Sequence, residues 1–238
     1  MADNRPPRVG REDVPRSTRR SVDRGLERVL KEAQLRSLVG KLPLADQVAH
    51  SEGFLAALSL EAFDGPVLEL GAGGGLPGLV LAVEDPDLRL VLLDSARRSV
   101  DFLRWAVDEL GLASRVEIVT ARAELAGRDE RYRGAFAAVV ARSFGRPAVT
   151  AECAAPLLKV GGRLVVSEPP ASRRGRAAAV ATGSTTERWP VEGCAELGLV
   201  FEAELRDAFG FAVLRQERLC PERYPRRPGI PAKRPLFP

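Results

Sequence analysis

The segment VLELGAGGGLPGLVLA, residues 67–82, decides how the chain folds. It holds five of the chain's 22 glycines between two apolar runs. Glycine is a poor residue inside a strand or a helix, but it lets the main chain turn sharply and approach a ligand closely. The pattern therefore predicts a strand, a ligand-binding loop and a helix that begins near Pro77.

Two kinds of nucleoside ligand fit this loop. Gly73-x-Gly75-x-x-Gly78 matches the dinucleotide fingerprint, and Asp94 follows about 20 residues later, where it could hold ribose hydroxyls. Glu69 adds the spacing E-x-G-x-G-x-G of S-adenosylmethionine (SAM) sites. A carboxylate there would attract the cationic groups of SAM and repel a pyrophosphate; capping the loop is its other possible role. A purely structural turn or a degenerate site is the third possibility for the loop. We expect SAM rather than NAD, with contacts from Glu69, Gly71, Gly73, Gly75 and Asp94.

Strands alternate with helices after residue 65. Strands are predicted at about 67–70, 89–93, 115–119, 136–141 and 163–167, and helices at about 77–83, 96–110, 147–158 and 172–181. This alternation predicts a parallel sheet covered on both faces. Two more strands, about 198–205 and 210–218, are joined by the short connection Asp207-Ala208-Phe209-Gly210 and suit an antiparallel hairpin at one edge. Five parallel strands with a terminal hairpin are typical of the class I methyltransferases, a Rossmann-like α/β fold.

The two ends of the chain differ from this core, which we place at residues 65–220. Residues 1–20 are rich in Pro and Arg and are expected to form a disordered basic arm. Apolar residues near a 3.6 period predict helices within residues 21–64. The prolines of residues 221–238 exclude a helix or an inner strand, so we expect an extended tail packed over the domain.

Composition narrows the class of protein. No apolar run approaches the roughly 20 residues that span a bilayer, and the first 20 residues lack the apolar core of a signal peptide. Cys153, Cys194 and Cys220 are scattered, which suits reduced thiols in the cytoplasm and offers no metal site. Residues 1–28 hold eight arginines and five acids, and residues 222–238 hold five basic residues and one acid. Basic ends indicate a polyanionic partner, or only solvated tails in an arginine-rich chain.

Five segments occur in the order and approximate spacing of one protein family. They are GAGGGLPGLVLA, LLDSARRSVDFLRWAVDELGL, ARAELA, VVARSFGRPA and YPRRPGIPAKRPL. The chain resembles the RsmG (GidB) family, ribosomal RNA small subunit methyltransferase G, over roughly residues 45–238. The resemblance implies SAM as methyl donor and methylation of N7 of a guanine in the decoding-region loop of 16S rRNA. The stretch ADQVAHSEGFLAAL departs from the family's pattern. Another RNA or small-molecule target, or an inactive RNA-binding module, therefore stays open.

The resemblance also implies roles for single residues. Its SAM contacts fall on Gly71, Leu76, Asp94, Ala123, Glu124 and Arg142. Asp94 would hold the ribose, and Ala123 and Glu124 would meet the adenine. Arg142 matches the family's arginine at the methyl-transfer pocket; pairing with a local carboxylate such as Glu124 is the alternative.

Guanine N7 carries an in-plane lone pair and no proton, so its methylation needs positioning and electrostatics rather than a general base. We expect Arg142 to contact guanine O6 or a phosphate, since a cation is misplaced beside N7. His50, the only histidine, is expected to have a packed or partly exposed structural role among apolar neighbours, with a role in catalysis as the alternative. Five cations of the tail are expected to bind RNA: Arg223, Arg226, Arg227, Lys233 and Arg234. The alternative is that the tail only covers the domain. The expected partner is 16S rRNA or the small ribosomal subunit, bound by a monomer.

Overall fold

A computed structural model describes residues 16–59, 64–169, 185–206 and 208–238. The strands are β1 Val67–Leu70, β2 Leu90–Asp94, β3 Val116–Thr120, β4 Phe136–Ala141, β5 Leu158–Glu168, β6 Leu199–Arg206 and β7 Gly210–Gln216. The helices are α1 Arg16–Leu35, α2 Leu44–Leu58, α3 Gly78–Glu84, α4 Arg97–Glu109, α5 Ala123–Ala126, α6 Pro147–Ala154, α7 Thr185–Arg188, α8 Val191–Glu196 and α9 Ile230–Lys233. A 3-10 turn, Ala155–Leu157, follows α6.

The strands form a seven-stranded sheet in the order β3-β2-β1-β4-β5-β7-β6. The first five strands of this order are parallel, and β7 and β6 are antiparallel to their neighbours. Every residue of β1 and β4 is buried, as expected for central strands covered on both faces. The predicted α/β sheet with a terminal hairpin is confirmed.

Each face of the sheet carries its own apolar cluster. Alternate residues of a strand point to opposite faces, so Val67 and Val140 belong to one cluster and Leu68 and Val139 to the other. The helices α1, α2, α3 and α4 contribute to the first cluster, and α5, α6, α8 and the tail to the second. Glu69 and Arg142 each come two residues after a member of the first cluster, so they lie on the face of the sheet that α2 and α3 cover.

The predicted boundaries need three corrections. Helix α1 begins at Arg16, so residues 16–20 do not belong to a disordered arm; intrahelical hydrogen bonds do not depend on apolar side chains. Strand β5 begins at Leu158, because Leu158 pairs with Phe136 before the register shifts. The tail contains one helical turn, α9, whose Pro231 occupies the first turn, where its missing N–H is not needed. The predictions for residues 1–15 and for a helix at 172–181 lie outside the described residues.

The rest of the tail packs over the domain. Tyr224 and Phe237 are buried in the second cluster. Arg133 donates hydrogen bonds to the carbonyls of Tyr224 (2.8 Å) and Cys220 (2.9 Å). All three cysteines are buried and unpaired. Within the described ranges, no helix combines the length and apolar character that a membrane crossing requires.

Candidate functional site

The glycine loop between β1 and α3 is tied to the carboxyl end of β2. The N–H groups of Gly71 and Ala72 both donate to the carbonyl of Leu93, at 2.9 and 3.0 Å. Gly71 and Gly73 have φ values of +73° and +54°, a region that disfavours any side chain. This conformation turns the Gly73 N–H toward Asp94, whose Oδ2 accepts it at 2.7 Å. The loop is therefore held in place by its own N–H groups, which donate to the Leu93 carbonyl and to the Asp94 carboxylate.

Asp94 positions two elements at once. Its Oδ1 accepts the N–H of Ala96 at 2.8 Å, at the start of α4, while Oδ2 holds the glycine loop. Asp94 also lines a cavity of about 250 Å³ with Gly71, Ala123 and Phe144. Each carboxylate oxygen has a second lone pair, so Asp94 can still accept hydrogen bonds from a ligand in this cavity.

Glu69 is 1% exposed and points beneath the loop. Its Oε2 accepts the Gly78 N–H at 3.0 Å, which caps the start of α3. Its Oε1 is buried and has no hydrogen-bond partner among the described residues. Burial raises the pKa of Glu69 to about 8, against the lowering effects of the Gly78 N–H and Arg142. One oxygen therefore takes the capping role that the sequence left open.

Arg142 follows β4 and faces α2. Its Nη2 lies 3.5 Å from Oε1 of the buried Gln47, and its Nη1 is buried without a partner among the described residues. The guanidinium interacts electrostatically with Glu69 and with His50. Glu124 contacts Arg122 and Gly229 instead, so the local carboxyl with which Arg142 interacts is that of Glu69. Arg142 lies between this carboxyl and the N-terminal helices.

Glu124 anchors the tail. Its Oε1 accepts the N–H of Gly229 at 2.8 Å and lies 3.3 Å from Nη2 of Arg122. Although burial raises the pKa of this carboxyl, the Gly229 N–H and Arg122 hold it below its ordinary value. Its neighbour Ala123 lines the cavity. Glu124 therefore joins the edge of the cavity to the C-terminal segment, a connection that the sequence does not reveal.

Gly75 and Leu76 are the remaining residues of the glycine loop that were predicted to contact SAM. Gly75 has a φ of +81° and donates its N–H to the carbonyl of Ala72 at 2.7 Å. Leu76 is 7% exposed and belongs to the first apolar cluster. Their contacts with SAM remain predictions, because neither residue lines the cavity beside Asp94.

Two features of the site were missed from the sequence. Phe144, in the quoted segment VVARSFGRPA, lines the cavity, and a Cβ at Gly71 would lie 2.6 Å from its ring. The turn between α1 and α2 packs on the glycine loop: a Cβ at Gly74 would lie 2.5 Å from Cγ1 of Val39 and 3.1 Å from Cβ of Leu38. The position of Phe144 shortly after β4 could have indicated that it lines the site. Nothing in the sequence of the turn indicates that the turn contacts the glycine loop.

Side-chain amides fix the shape of that turn. Gln34 of α1 and Gln47 of α2 both donate to the carbonyls of Gly40 and Leu42, at 2.8 to 3.1 Å. The Arg36 guanidinium lies over the ring of Trp105 on α4, at 5.6 Å. The N-terminal helices thus form part of the wall around the glycine loop.

The tail cations divide into two groups. Arg223, Arg227, Lys233 and Arg234 are exposed. Arg226 instead donates from Nε and Nη2 to both oxygens of Glu152, at 2.8 and 2.6 Å, and Glu152 is fully buried. The internal ion pair makes Arg226 less available for the predicted contact with RNA than the four exposed cations.

A cleft of about 750 Å³ lies at the opposite edge of the sheet. It opens at the amino ends of β1, β2 and β3, beside Arg89, Arg115 and Tyr132. None of the residues predicted to bind cofactor or RNA lines it. Ligands of open parallel sheets bind at the carboxyl ends of the strands, so the smaller cavity beside Asp94 is the candidate site.

Solved structures share this architecture. A cofactor-bound protein from MTB has a TM-score of 0.57 and 23% sequence identity, over 82% of this chain and 90% of that chain. A putative O-methyltransferase from Klebsiella pneumoniae has a TM-score of 0.55 and 18% identity, over 80% and 89% of the two chains. The sheet order, the glycine loop and these likenesses define the fold of the class I methyltransferases.

Sequence comparison identifies the family. The family model of GidB, rRNA small subunit methyltransferase G, matches residues 50–172. Proteins named Ribosomal RNA small subunit methyltransferase G from Deinococcus radiodurans and Rubrobacter xylanophilus are 40% and 38% identical over 179 and 176 residues. These alignments cover 71% and 72% of this chain, and 65% of each relative. A relative of the same name from a Thermotoga species is 38% identical over 81% of both chains. The chain belongs to the GidB family.

Proposed function

We propose that the chain is a SAM-dependent methyltransferase that methylates N7 of a guanine in 16S rRNA. The observation that carries this proposal is family membership over residues 50–172, a range that includes Glu69, Asp94 and Arg142. It favours SAM over a dinucleotide as ligand of the glycine loop. The target in the small ribosomal subunit is taken from the name of the relatives. Because the chain spans 65% of the length of two of them, this target is part of the proposal.

The residues around the loop fit SAM. Glu69 Oε1 and Arg142 Nη1 are buried polar atoms without partners among the described residues. Leaving such atoms unpaired costs free energy, and their contact with SAM is part of the proposal, since neither residue lines the cavity beside Asp94. Asp94 and Ala123 line the cavity at the carboxyl ends of β2 and β3, where a ribose and an adenine would be held. When bound, SAM supplies an electrophilic methyl group on a sulfonium.

The reaction requires the protein to orient the substrate and does not require proton transfer. The guanine N7 lone pair would form the new bond to the methyl carbon, the electrons of the broken S–C bond would stay on sulfur, and the purine would gain the positive charge. No proton leaves, so no general base is required. Arg142 is placed to orient the base through O6 or a phosphate, with its fork of donors. Gln47 Oε1, 3.5 Å from Nη2, limits its rotation.

Four exposed tail cations support contact with RNA: Arg223, Arg227, Lys233 and Arg234. Each cation that neutralises a phosphate makes binding weaker as salt rises. The carbonyls and side chains that hold the tail leave these four side chains exposed. In this proposal the chain acts as a monomer on the ribosomal subunit in the cytoplasm, and the chemistry needs no metal.

Methyl transfer from labelled SAM tests the proposal. The substrates are 30S subunits and naked 16S rRNA from cells that lack this gene, and the product is read as N7-methylguanine by chemical cleavage at the modified base. Removal of one preorganised donor typically costs about 100-fold or more in rate, so Arg142→Ala should lose that much. Arg146→Ala is the matched control, because Arg146 is exposed four residues further on.

Label in N7-methylguanine with the native protein, lost in Arg142→Ala and kept in Arg146→Ala, supports the proposal. Transfer to no RNA preparation, or transfer to another atom, overturns it. Calorimetry with SAM and NAD accompanies the assay, since binding of NAD alone would restore the dinucleotide alternative.

A further inference from the structure

Four aromatic rings gather beside Arg142. The ring centroid of His50 lies 4.8 Å from that of Phe209, 5.5 Å from that of Phe211 and 5.8 Å from that of Phe54. Phe54 and Phe211 are buried, at 0% and 3% exposure, and lie edge to face. His50 and Phe209 are partly exposed and rest on this buried pair. We call His50 and Phe209 the aromatic pair.

The topology brings this pair to the edge of the sheet that carries the site. Strand β7 is antiparallel to β5, and Gly210 at its start pairs with Glu168 at the end of β5. The turn before Gly210, which holds Phe209, therefore lies at the carboxyl ends of the parallel strands. His50 is one helical turn after Gln47 on α2, and Gln47 contacts Arg142. Two elements far apart in sequence thus place their rings next to the candidate catalytic arginine.

The chemistry of the proposed reaction explains what such a surface can do. Methylation of N7 leaves the guanine with a positive charge, and the faces of aromatic rings attract cations. Aromatic faces also stack on unpaired bases whatever the sequence. Burial, followed by the charge of Arg142, lowers the pKa of His50 to about 4, so the imidazole is neutral at physiological pH. A neutral ring adds no repulsion to the developing charge.

We propose that the aromatic pair of His50 and Phe209 receives the face of the target guanine and stabilises its charged, methylated form. The inference rests on the proposed function of the site. Arg142 then reads the edge of the base at O6 while the pair binds its face. Discrimination follows from this division: the pair accepts any base, and the arginine selects guanine.

Single-turnover methyl transfer with enzyme in excess tests the pair. Phe209→Leu keeps an apolar side chain and removes the π face, so the rate at saturating SAM should fall about ten-fold, within the range of one base–aromatic stack. Phe209→Trp should transfer methyl several-fold faster than Phe209→Leu. Phe201→Leu is the matched control, since Phe201 lies in the same hairpin but packs against the other apolar cluster. Affinity for S-adenosylhomocysteine, measured by calorimetry, should change less than two-fold in all three variants.

A second readout does not depend on turnover. In Phe209→Trp, the added indole fluorescence should be quenched by 7-methylguanosine monophosphate more strongly than by guanosine monophosphate, because only the methylated base carries the charge. Equal rates for Phe209→Leu and Phe201→Leu, or no difference in quenching between the two nucleotides, would overturn the inference. A native protein that methylates no guanine at N7 would instead refute the proposed function itself.

Discussion

The ion pair between Arg226 and Glu152 should carry much of the tail's stability. Arg226 offers three donors to Glu152: its backbone N–H at 2.8 Å, Nε at 2.8 Å and Nη2 at 2.6 Å. The Glu152 side chain is fully buried, whereas that of Arg226 is 27% exposed. Arg226→Ala would leave a buried carboxylate with one donor of the three. Breaking a buried pair in this way costs about 3 kcal/mol.

Thermal and urea unfolding measure this loss. For a chain of this size, about 3 kcal/mol corresponds to a melting temperature lower by roughly 6 to 12 °C. Arg227→Ala is the control, because Arg227 is exposed, and its loss should stay within about 0.5 kcal/mol. Adding Glu152→Gln to Arg226→Ala should recover part of the stability, since the unpaired charge is removed. A surface substitution alone shifts the melting temperature by up to about 2 °C. If Arg226→Ala melts within about 2 °C of Arg227→Ala, the ion pair does not anchor the tail.

Three further changes test the site and the tail. Glu69→Gln should become more stable relative to the native protein as pH rises from about 5 to 8, measured by urea unfolding. The native protein loses stability over this range, because the folded carboxyl keeps its proton up to a pKa of about 8 while the unfolded carboxyl releases it near 4.5. A stability difference between the two proteins that does not change with pH contradicts this. Gly74→Ala should cost about 1–3 kcal/mol and weaken SAM binding in calorimetry, because its Cβ would meet Val39 at 2.5 Å; Gly40→Ala, with no atom within 4 Å, should do neither. Tyr224→Phe removes the hydroxyl that donates to Glu196 at 2.6 Å and should cost about 1 kcal/mol in urea unfolding; an unchanged midpoint would mean that water replaces this bond.

The fold was predictable because its signals are local. The glycine run after a short apolar strand fixes β1, the loop and α3, and the alternation that follows fixes the parallel sheet. The short connection before Gly210 likewise indicates the antiparallel hairpin. These patterns depend on neighbours within a few residues, which is the range over which backbone preference and side-chain periodicity act.

The site was predictable only in part, because its contacts are long-range. Spacing identified Glu69 and Asp94, but could not show that Glu69 turns one oxygen to the Gly78 N–H. Nothing in the tail distinguishes Arg226 from Arg227, since the deciding carboxylate lies 74 residues away. The same holds for the 105-residue separation between Glu124 and Gly229. Such pairings are set by packing of elements that no local pattern links.

The turn between α1 and α2 makes the front of the chain inseparable from the core. Leu38 and Val39 lie against Gly74 closely enough that even a methyl group there would have no room. A chimera that joins this core to the front segment of another methyltransferase must therefore carry this turn along with the glycine loop.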